Sequence, residues 1–467
     1  MDFLGTLPDK IMAINDWVWQ PAAMPIVLLI VGVWLTVRSG FVQIRRFPLA
    51  VKRVIGGAFK HTEGEKGTIT PFQALSTALA ATVGNGNIGG VATAILVGGP
   101  GAIFWMWMCA TVGMATKYAE AVLGVHFRVR RETGELASGP MYYISRGVPF
   151  PKFARVLAMM FAFFGACTAM FGTGNMAQSN TIARTFVEAV RVNAGIDLPL
   201  WVPGVLITVA VGLVLLGGIK RIAVTAESLV PTMIVVYILG SVTYVVLNID
   251  GLPHVFGMIL SDAFTPSAAV GGFIGASVAT GIAAGVSRGV LSNEAGLGSA
   301  PIAHGIANVK HPAEQGIVGV FEVFVDTIVV CSMTAFVIIE SGMWTDLAYQ
   351  DASGDLTAAA MGTHIPFASG IVALSSFLFG FSTLIGWCYY GEKCIEFLIG
   401  SKAIMPYRVV FTALILVGAL VSVPLAWAIG TLLNGFMAFP NLIGLAFLGG
   451  TVAKLTKDYF SQKPDAA

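Results

Sequence analysis

Long apolar stretches alternate with short polar segments along this chain of 467 residues. Crossing a bilayer takes about 20 apolar residues in a helix. Stretches of that kind recur eleven times, so the pattern predicts an all-α polytopic membrane protein with eleven transmembrane helices. The predicted spans are 21–37, 70–97, 100–124, 154–190, 202–218, 224–247, 270–297, 315–339, 365–390, 407–429 and 432–453.

The second stretch predicts a helix that breaks within the membrane. It is apolar on both sides of Gly84-Asn85-Gly86-Asn87. Glycine frees the backbone and asparagine competes for its hydrogen bonds, so a helix is expected to fail there. Unpaired amides and carbonyls are too costly in hydrocarbon unless something polar binds them, and in a many-helix membrane protein that is usually the transported substrate.

The seventh stretch is as rich in glycine, over Gly271–Gly289, and predicts a second break. Five spans separate the two, so they run in opposite directions and indicate an inverted repeat. Residues 70–247 would form the first five-helix repeat and residues 270–453 the second. Residues 1–69 would add one N-terminal helix and a cytoplasmic loop, and residues 454–467 a cytoplasmic tail. Alternatively, the glycines only allow close helix packing. The fourth stretch predicts one long, tilted helix.

Composition and charge support this class and orient the chain. Hydrophobic residues make up 56% of the sequence and charged residues 11%, and the net charge of +2 indicates no nucleic-acid partner. With the N-terminus outside, all Lys and Arg except Lys10, Arg184 and Arg191 fall on the inner side, as positive-inside topology requires. The prediction is a multi-pass plasma-membrane protein, in a bacterial inner membrane, with a cytoplasmic C-terminus and the lipid bilayer as its surroundings.

The N-terminus shows no basic region or cleavage site, so no signal peptide is predicted. The five cysteines form no CxxC pair and are expected to be free, buried thiols. Glu322 and Asp326 lie four residues apart, hence on one helix face, where they can carry a proton or pair with a base such as Arg288. Pairing is the favoured interpretation.

Five segments resemble the alanine/glycine:cation symporter family, the sodium:alanine symporters. They are Thr82–Thr93, Gly98–Glu120, Gly139–Tyr143, Ser292–His304 and Gly386–Glu392. The resemblance covers nearly the whole chain. It implies a leucine-transporter-type 5+5 inverted repeat, here preceded by one extra helix. It also implies sodium-driven symport of alanine or glycine, with sodium as coupling ion and no other cofactor.

On this likeness the substrate site lies at the break. The amides of Gly84 and Gly86 would hold the substrate carboxylate, beside Asn85, and the Asn87 side chain would contact substrate or ion. For both asparagines the alternative is helix capping.

Three further side chains complete the expected substrate site. Gln178 can accept from the substrate ammonium, or else make an interhelical hydrogen bond. Trp387 would close the pocket over a small side chain, although a tryptophan can also anchor a helix at the interface. Thr383 is shared with the ion site.

The resemblance also implies a sodium site. It would combine the hydroxyls of Ser382 and Thr383 with the carbonyls of Ala80 and Val83. The alternative is that both hydroxyls bond to their own helix.

Three other functions compete with sodium symport. A proton-coupled carrier of the same fold would use Glu322 or Asp326 as its relay, and a passive channel would give flux without accumulation. An intramembrane enzyme is disfavoured because HExxH is absent and all six histidines lie in or beside predicted loops, where none is expected to be buried.

Overall fold

A computed structural model describes residues 7–20, 23–57, 69–131, 134–265, 277–349 and 354–462, and this part of the chain is nearly all helical. One small antiparallel pair, β1 (Val129–Arg130) with β2 (Leu136–Ala137), lies between helices. The α-helices are α1 (Leu7–Trp19), α2 (Met24–Arg38), α3 (Val42–Arg45), α4 (Phe47–Gly57), α5 (Pro71–Thr82), α6 (Val91–Gly98), α7 (Gly101–His126), α8 (Pro140–Gly147), α9 (Pro151–Phe171), α10 (Met176–Ala194), α11 (Trp201–Leu215), α12 (Gly218–Leu247), α13 (Leu252–Asp262), α14 (Val278–Asn293), α15 (Pro301–His304), α16 (Pro312–Val323), α17 (Ser332–Ser341), α18 (Gly354–Gly362), α19 (Ala368–Ile399), α20 (Ile404–Leu420) and α21 (Val423–Gln462). The shorter helical segments are π turns at Gly86–Gly90 and Phe324–Cys331 and 3₁₀ turns at Ile249–Gly251, Met343–Thr345, Leu347–Tyr349 and Ser401–Ala403.

Within these residues, seven helical stretches are long and apolar enough to cross a membrane, and the bent pair α5–α6 makes eight. Each coincides with a predicted span. Helices α7, α11 and α14 occupy the other three predicted positions, but α11 and α14 have only 15 and 16 residues. At 1.5 Å per residue both fall short of a hydrocarbon core of about 30 Å. The membrane class is therefore confirmed, and the number eleven stays a prediction.

The predicted break in the second span is present. Thr70 and Gln73 form a capping box at the start of α5, and the helix ends at Thr82. After three residues outside any helix, a π turn leads into α6, and the two halves meet at a bend of 52°. The local sequence alone predicted this feature, because Gly84 and Gly86 favour the unwound backbone.

The predicted break in the seventh span is not found at its described glycines. Helix α14 runs without interruption past Gly281, Gly285 and Gly289, so the predicted break is wrong for these glycines, while 270–276 lie outside the described residues. A Cβ on Gly285 would stand 2.2 Å from the carbonyl oxygen of Ala102, so this glycine serves close packing of α14 on α7. The helix instead ends at Glu294, whose φ of 58° is left-handed, and a buried irregular segment continues to residue 300.

The fourth span is two helices rather than one. Helices α9 and α10 are separated by a turn at residues 172–175. A Cβ on Gly174 would lie 2.7 Å from Cβ of Trp387, so glycine lets α19 approach this turn closely. The turn starts a new helix at Met176 and sets the position of Gln178 opposite the break.

Candidate functional site

The break in the second span leaves backbone groups that neighbouring side chains only partly satisfy. Gly84 donates its N–H to the Asn87 side-chain oxygen at 2.9 Å, and Asn85 donates its N–H to Gln178 Oε1 at 3.0 Å. Among the described residues, the Gly86 N–H and the carbonyls of Ala80 and Val83 have no hydrogen-bond partner. Buried backbone groups in this state are unusual in folded proteins.

A small cavity of about 10 Å³ lies against this break. Its lining includes five of the seven predicted substrate residues: Gly84, Gly86, Gln178, Thr383 and Trp387. The volume is about what one water molecule needs. An amino acid therefore fits only after the surrounding side chains move apart, and the structure shows the site closed.

The two asparagines of the break contact other groups. The Asn85 side-chain oxygen accepts from Ser376 Oγ at 2.7 Å, and its Nδ2 is buried without a partner. The Asn87 side-chain oxygen accepts from the N–H of Gly84, which lies outside any helix, while its Nδ2 donates to Asp326 Oδ1 at 2.7 Å. Neither lines the cavity.

Glu294 lines the same cavity and was missed as a site residue. Its left-handed backbone ends α14 and turns the side chain toward α19, where Trp387 Nε1 donates to Oε1 at 2.7 Å and Ser299 donates to Oε2. The carboxylate is buried, and no described basic side chain forms an ion pair with it. The signal was available, because a glutamate within an apolar stretch is costly and usually functional.

A second buried carboxylate, Asp326, connects the break to two other elements. Ser292 Oγ and Thr327 Oγ1 each donate to Asp326 Oδ2 at 2.7 Å, and Asn87 donates to Oδ1. Asp326 is fully buried, and among the described residues no basic group pairs with it. Three neutral donors therefore surround a buried carboxyl group that has no basic partner among the described residues.

The predicted sodium ligands are only partly together. Thr383 Oγ1 donates to the carbonyl of Ala81 at 3.3 Å, beside the break. Ser382 instead donates to the Phe379 carbonyl at 2.8 Å and to Met233 Sδ at 3.3 Å. Its hydroxyl thus bonds to its own helix, as the alternative interpretation anticipated.

Glu322 forms an ion pair with a residue that sequence reasoning did not consider. Lys117 Nζ lies 3.2 Å from its Oε1 and His304 Nε2 lies 2.6 Å from its Oε2, all fully buried. The favoured interpretation, pairing with a basic residue, is therefore confirmed for Glu322, but the partner is Lys117. Arg288, the suggested partner, instead lies with its guanidinium 5.6 Å from the ring centre of Trp427. The expectation that no histidine is buried is wrong.

The five cysteines are free, as predicted, and four of them are buried. Among the described residues, no group of three or more His, Cys, Asp or Glu side chains is arranged to hold a metal ion. The chemistry of the site is therefore that of buried backbone groups, amides, hydroxyls and two carboxylates without basic partners.

Comparison with known proteins identifies the family of this chain. The family described as the sodium:alanine symporter family matches residues 5–467. The sodium/alanine symporter AgcS of Methanococcus maripaludis is 46% identical, over 98% of both chains. A probable sodium/glutamine symporter, GlnT of Bacillus subtilis, is 38% identical over 96% of this chain and 90% of its own.

Among solved structures, the chain resembles MhsT in complex with L-phenylalanine, at a TM-score of 0.55 and 13% identity over 84% of this chain and 99% of that one. That likeness shows a shared fold, of the leucine-transporter type. The protein is thus a multi-pass transporter that carries an amino acid together with a cation, and not an enzyme. The chain belongs to the sodium:alanine symporter family.

Proposed function

We propose that this protein takes up alanine and glycine together with sodium by alternating access, holding the substrate at the break between α5 and α6. One observation carries the proposal. An unpartnered backbone N–H at Gly86 and a buried carboxylate at Glu294 line the same cavity. A zwitterion brings both charges into low dielectric and needs a partner for each.

The substrate carboxylate would bind the Gly86 N–H at the positive end of the half-helix that follows. The Gly84 N–H, predicted to share this role, is occupied by Asn87 and would have to be released. The ammonium would lie toward Glu294 and Gln178. The indole of Trp387, held by Glu294, would limit the substrate to a small side chain, which favours alanine and glycine over glutamine.

Sodium would bind near the same break. The carbonyls of Ala80 and Val83 lack donors, which supports the predicted set with Thr383 and Ser382. Ser382 would first have to rotate away from its own helix. The negative charge of Asp326 supports cation binding more strongly, because a buried carboxylate without a cation is costly.

The proposed transport cycle rests on the predicted repeats, 70–247 and 270–453, with the N-terminus outside and the C-terminus cytoplasmic. The interruptions at 83–85 and 294–300 support it, since each repeat then carries one broken helix near its start. Rocking of the two repeats about this shared site would expose it alternately to the two sides.

The rival with the best support is a proton-coupled carrier of the same fold, with Asp326 as its relay. Alanine uptake into proteoliposomes, with sodium, lithium or protons as the only gradient, separates the two. One sodium per zwitterion moves one charge, which contributes about 2.3 kcal/mol per 100 mV. A tenfold sodium gradient adds about 1.4 kcal/mol, so accumulation of roughly 500-fold is possible. Alanine accumulation driven by protons alone would favour the proton-coupled carrier. Alanine flux without accumulation would favour a passive channel.

Alanine substitutions at Ser382 and Thr383 test the ion site. Thr383→Ala is expected to raise the sodium concentration for half-maximal uptake about tenfold, because a neutral oxygen ligand contributes about 1–1.5 kcal/mol. Ser382→Ala should give a similar shift if the hydroxyl rotates to the ion. Thr412→Ala is the matched control, since that hydroxyl bonds only to the carbonyl one turn earlier on α20. An unchanged sodium dependence in either variant would remove that hydroxyl from the site.

A further inference from the structure

A groove of about 360 Å³ opens between the end of α2, the short helix α3 and the last turns of α21. Four cationic side chains line it: Arg38, Arg45, Arg46 and Lys457. In the part of the chain that the structure describes, none of the four forms an ion pair with a carboxylate. The groove therefore concentrates positive charge that no acidic side chain in its lining offsets.

A tight turn brings these cations together. Gly40 has a φ of 69° and Phe41 a φ of 59°, both left-handed, so the chain turns sharply between α2 and α3. Arg38 at the end of α2 and Arg45 at the end of α3 therefore face one groove. The Arg46 guanidinium lies 4.3 Å from the ring centre of Phe460 on α21, a cation–π contact that fixes the third cation.

Apolar side chains next to the cations are exposed rather than packed. Val37, Phe41 and Ile44 are 59%, 42% and 63% exposed. A free phosphate ion would need only the cations. A phospholipid would use both features, with its phosphate among the cations and its acyl chains along the apolar surface.

We propose that this groove binds the headgroup of an anionic phospholipid at the membrane surface. The predicted topology puts it on the cytoplasmic side, where basic pockets between helices bind anionic headgroups. The bound lipid would connect the N-terminal helices to α21. The proposal is independent of which amino acid or ion the protein carries.

The test uses the full chain in detergent and measures phosphatidylglycerol binding by native mass spectrometry. The double variant Arg45→Gln/Arg46→Gln is expected to bind the lipid about 25-fold more weakly. Each basic residue near an anionic lipid contributes about 1 kcal/mol, which is about fivefold. The control Lys152→Gln/Lys402→Gln removes two exposed charges on the same predicted side, outside the groove, and should bind as the wild type does.

Several results would overturn the proposal. An equal loss in the control variant would show unspecific surface attraction, and displacement of the lipid by excess inorganic phosphate would show a site for free anions. Equal binding of phosphatidylcholine would exclude selection of the anionic headgroup. If the double variant does not fold, Lys457→Gln alone should weaken binding about fivefold, and unchanged binding in that variant counts against the site.

Discussion

Replacing Asp326 with asparagine is expected to abolish sodium-driven alanine uptake without unfolding the protein. Asparagine keeps the shape of the side chain but removes the negative charge. A cation bound there would lose its counter-charge in low dielectric, and breaking such a buried pair costs about 3–5 kcal/mol. The sodium concentration for half-maximal uptake should therefore rise at least 100-fold, an estimate of about 1.4 kcal/mol per factor of ten. A sodium titration of uptake in proteoliposomes measures this.

Thermal unfolding gives an independent readout of the same charge. Without sodium, the Asp326→Asn variant should unfold at a higher temperature than the wild type, because an uncompensated buried charge has been removed. Sodium should then stabilise the wild type, by about 2.7 kcal/mol at a hundredfold excess over its dissociation constant, and leave the variant unchanged.

Glu322→Gln is the matched control. It removes a buried carboxylate from the same helical stretch, but one that is paired with Lys117. It should lower stability without abolishing the stabilisation by sodium. If Asp326→Asn retained wild-type sodium dependence, Asp326 would not be a ligand or counter-charge of the ion.

The first break could be predicted from sequence because its causes are local. Gly84 and Gly86 remove the side chains that favour a helix, and the Asn87 side chain accepts from the Gly84 N–H three residues away. The groups that interrupt the helix lie within a few residues, so the sequence pattern predicts the break. Gln178, which accepts from the Asn85 N–H, lies 93 positions later and could not be placed in this way.

The end of α14 could not be predicted from glycine content, because glycine either interrupts a membrane helix or allows another helix to pack closely against it. Gly285 lies in a continuous helix and lets α7 approach. The chain leaves the helix only at Glu294, a residue type that rarely adopts a left-handed φ. The distinction depends on which helix packs opposite, and that is a tertiary property.

The partners of buried charged residues also depend on tertiary packing and could not be predicted from the sequence. Glu322 was expected to pair with a base, and it does, but the partner Lys117 lies 205 positions earlier in the chain. His304 is the last residue of the short helix α15, in a segment that was predicted to lie in or beside a loop, and it is fully buried. Sequence can predict that a buried charge needs a partner, but the partner is set by how α7, α15 and α16 pack.

Some residues of the predicted substrate site came from the family resemblance and not from local sequence patterns. Thr383 and Trp387 lie about 300 positions from the break and still line its cavity. Glu294 lies within the family motif Ser292–His304, but the sequence analysis predicted no role for it. Its position in the cavity depends on the left-handed turn at the end of α14, which the sequence did not predict.

Replacing Glu294 with glutamine is expected to weaken apparent alanine affinity by about 10- to 100-fold while maximal uptake changes less. Hydrogen bonds to charged groups contribute about 1.5–3 kcal/mol, and the glutamine amide offers the ammonium a neutral oxygen instead of a carboxylate. Alanine-dependent uptake at saturating sodium measures the change.

An analogue that lacks the ammonium makes this test specific for that group. Lactate has a hydroxyl where alanine has its ammonium, so in the wild type it should compete far less well than alanine. In Glu294→Gln that preference should shrink, because the carboxylate that favours the cationic group is gone. Trp387→Phe is the control, since it removes the donor to Glu294 Oε1 but keeps the charge, and so should retain the preference for alanine. An unchanged preference in Glu294→Gln would mean that the ammonium lies elsewhere, with Gln178 as the one other amide side chain among the described residues that line the cavity.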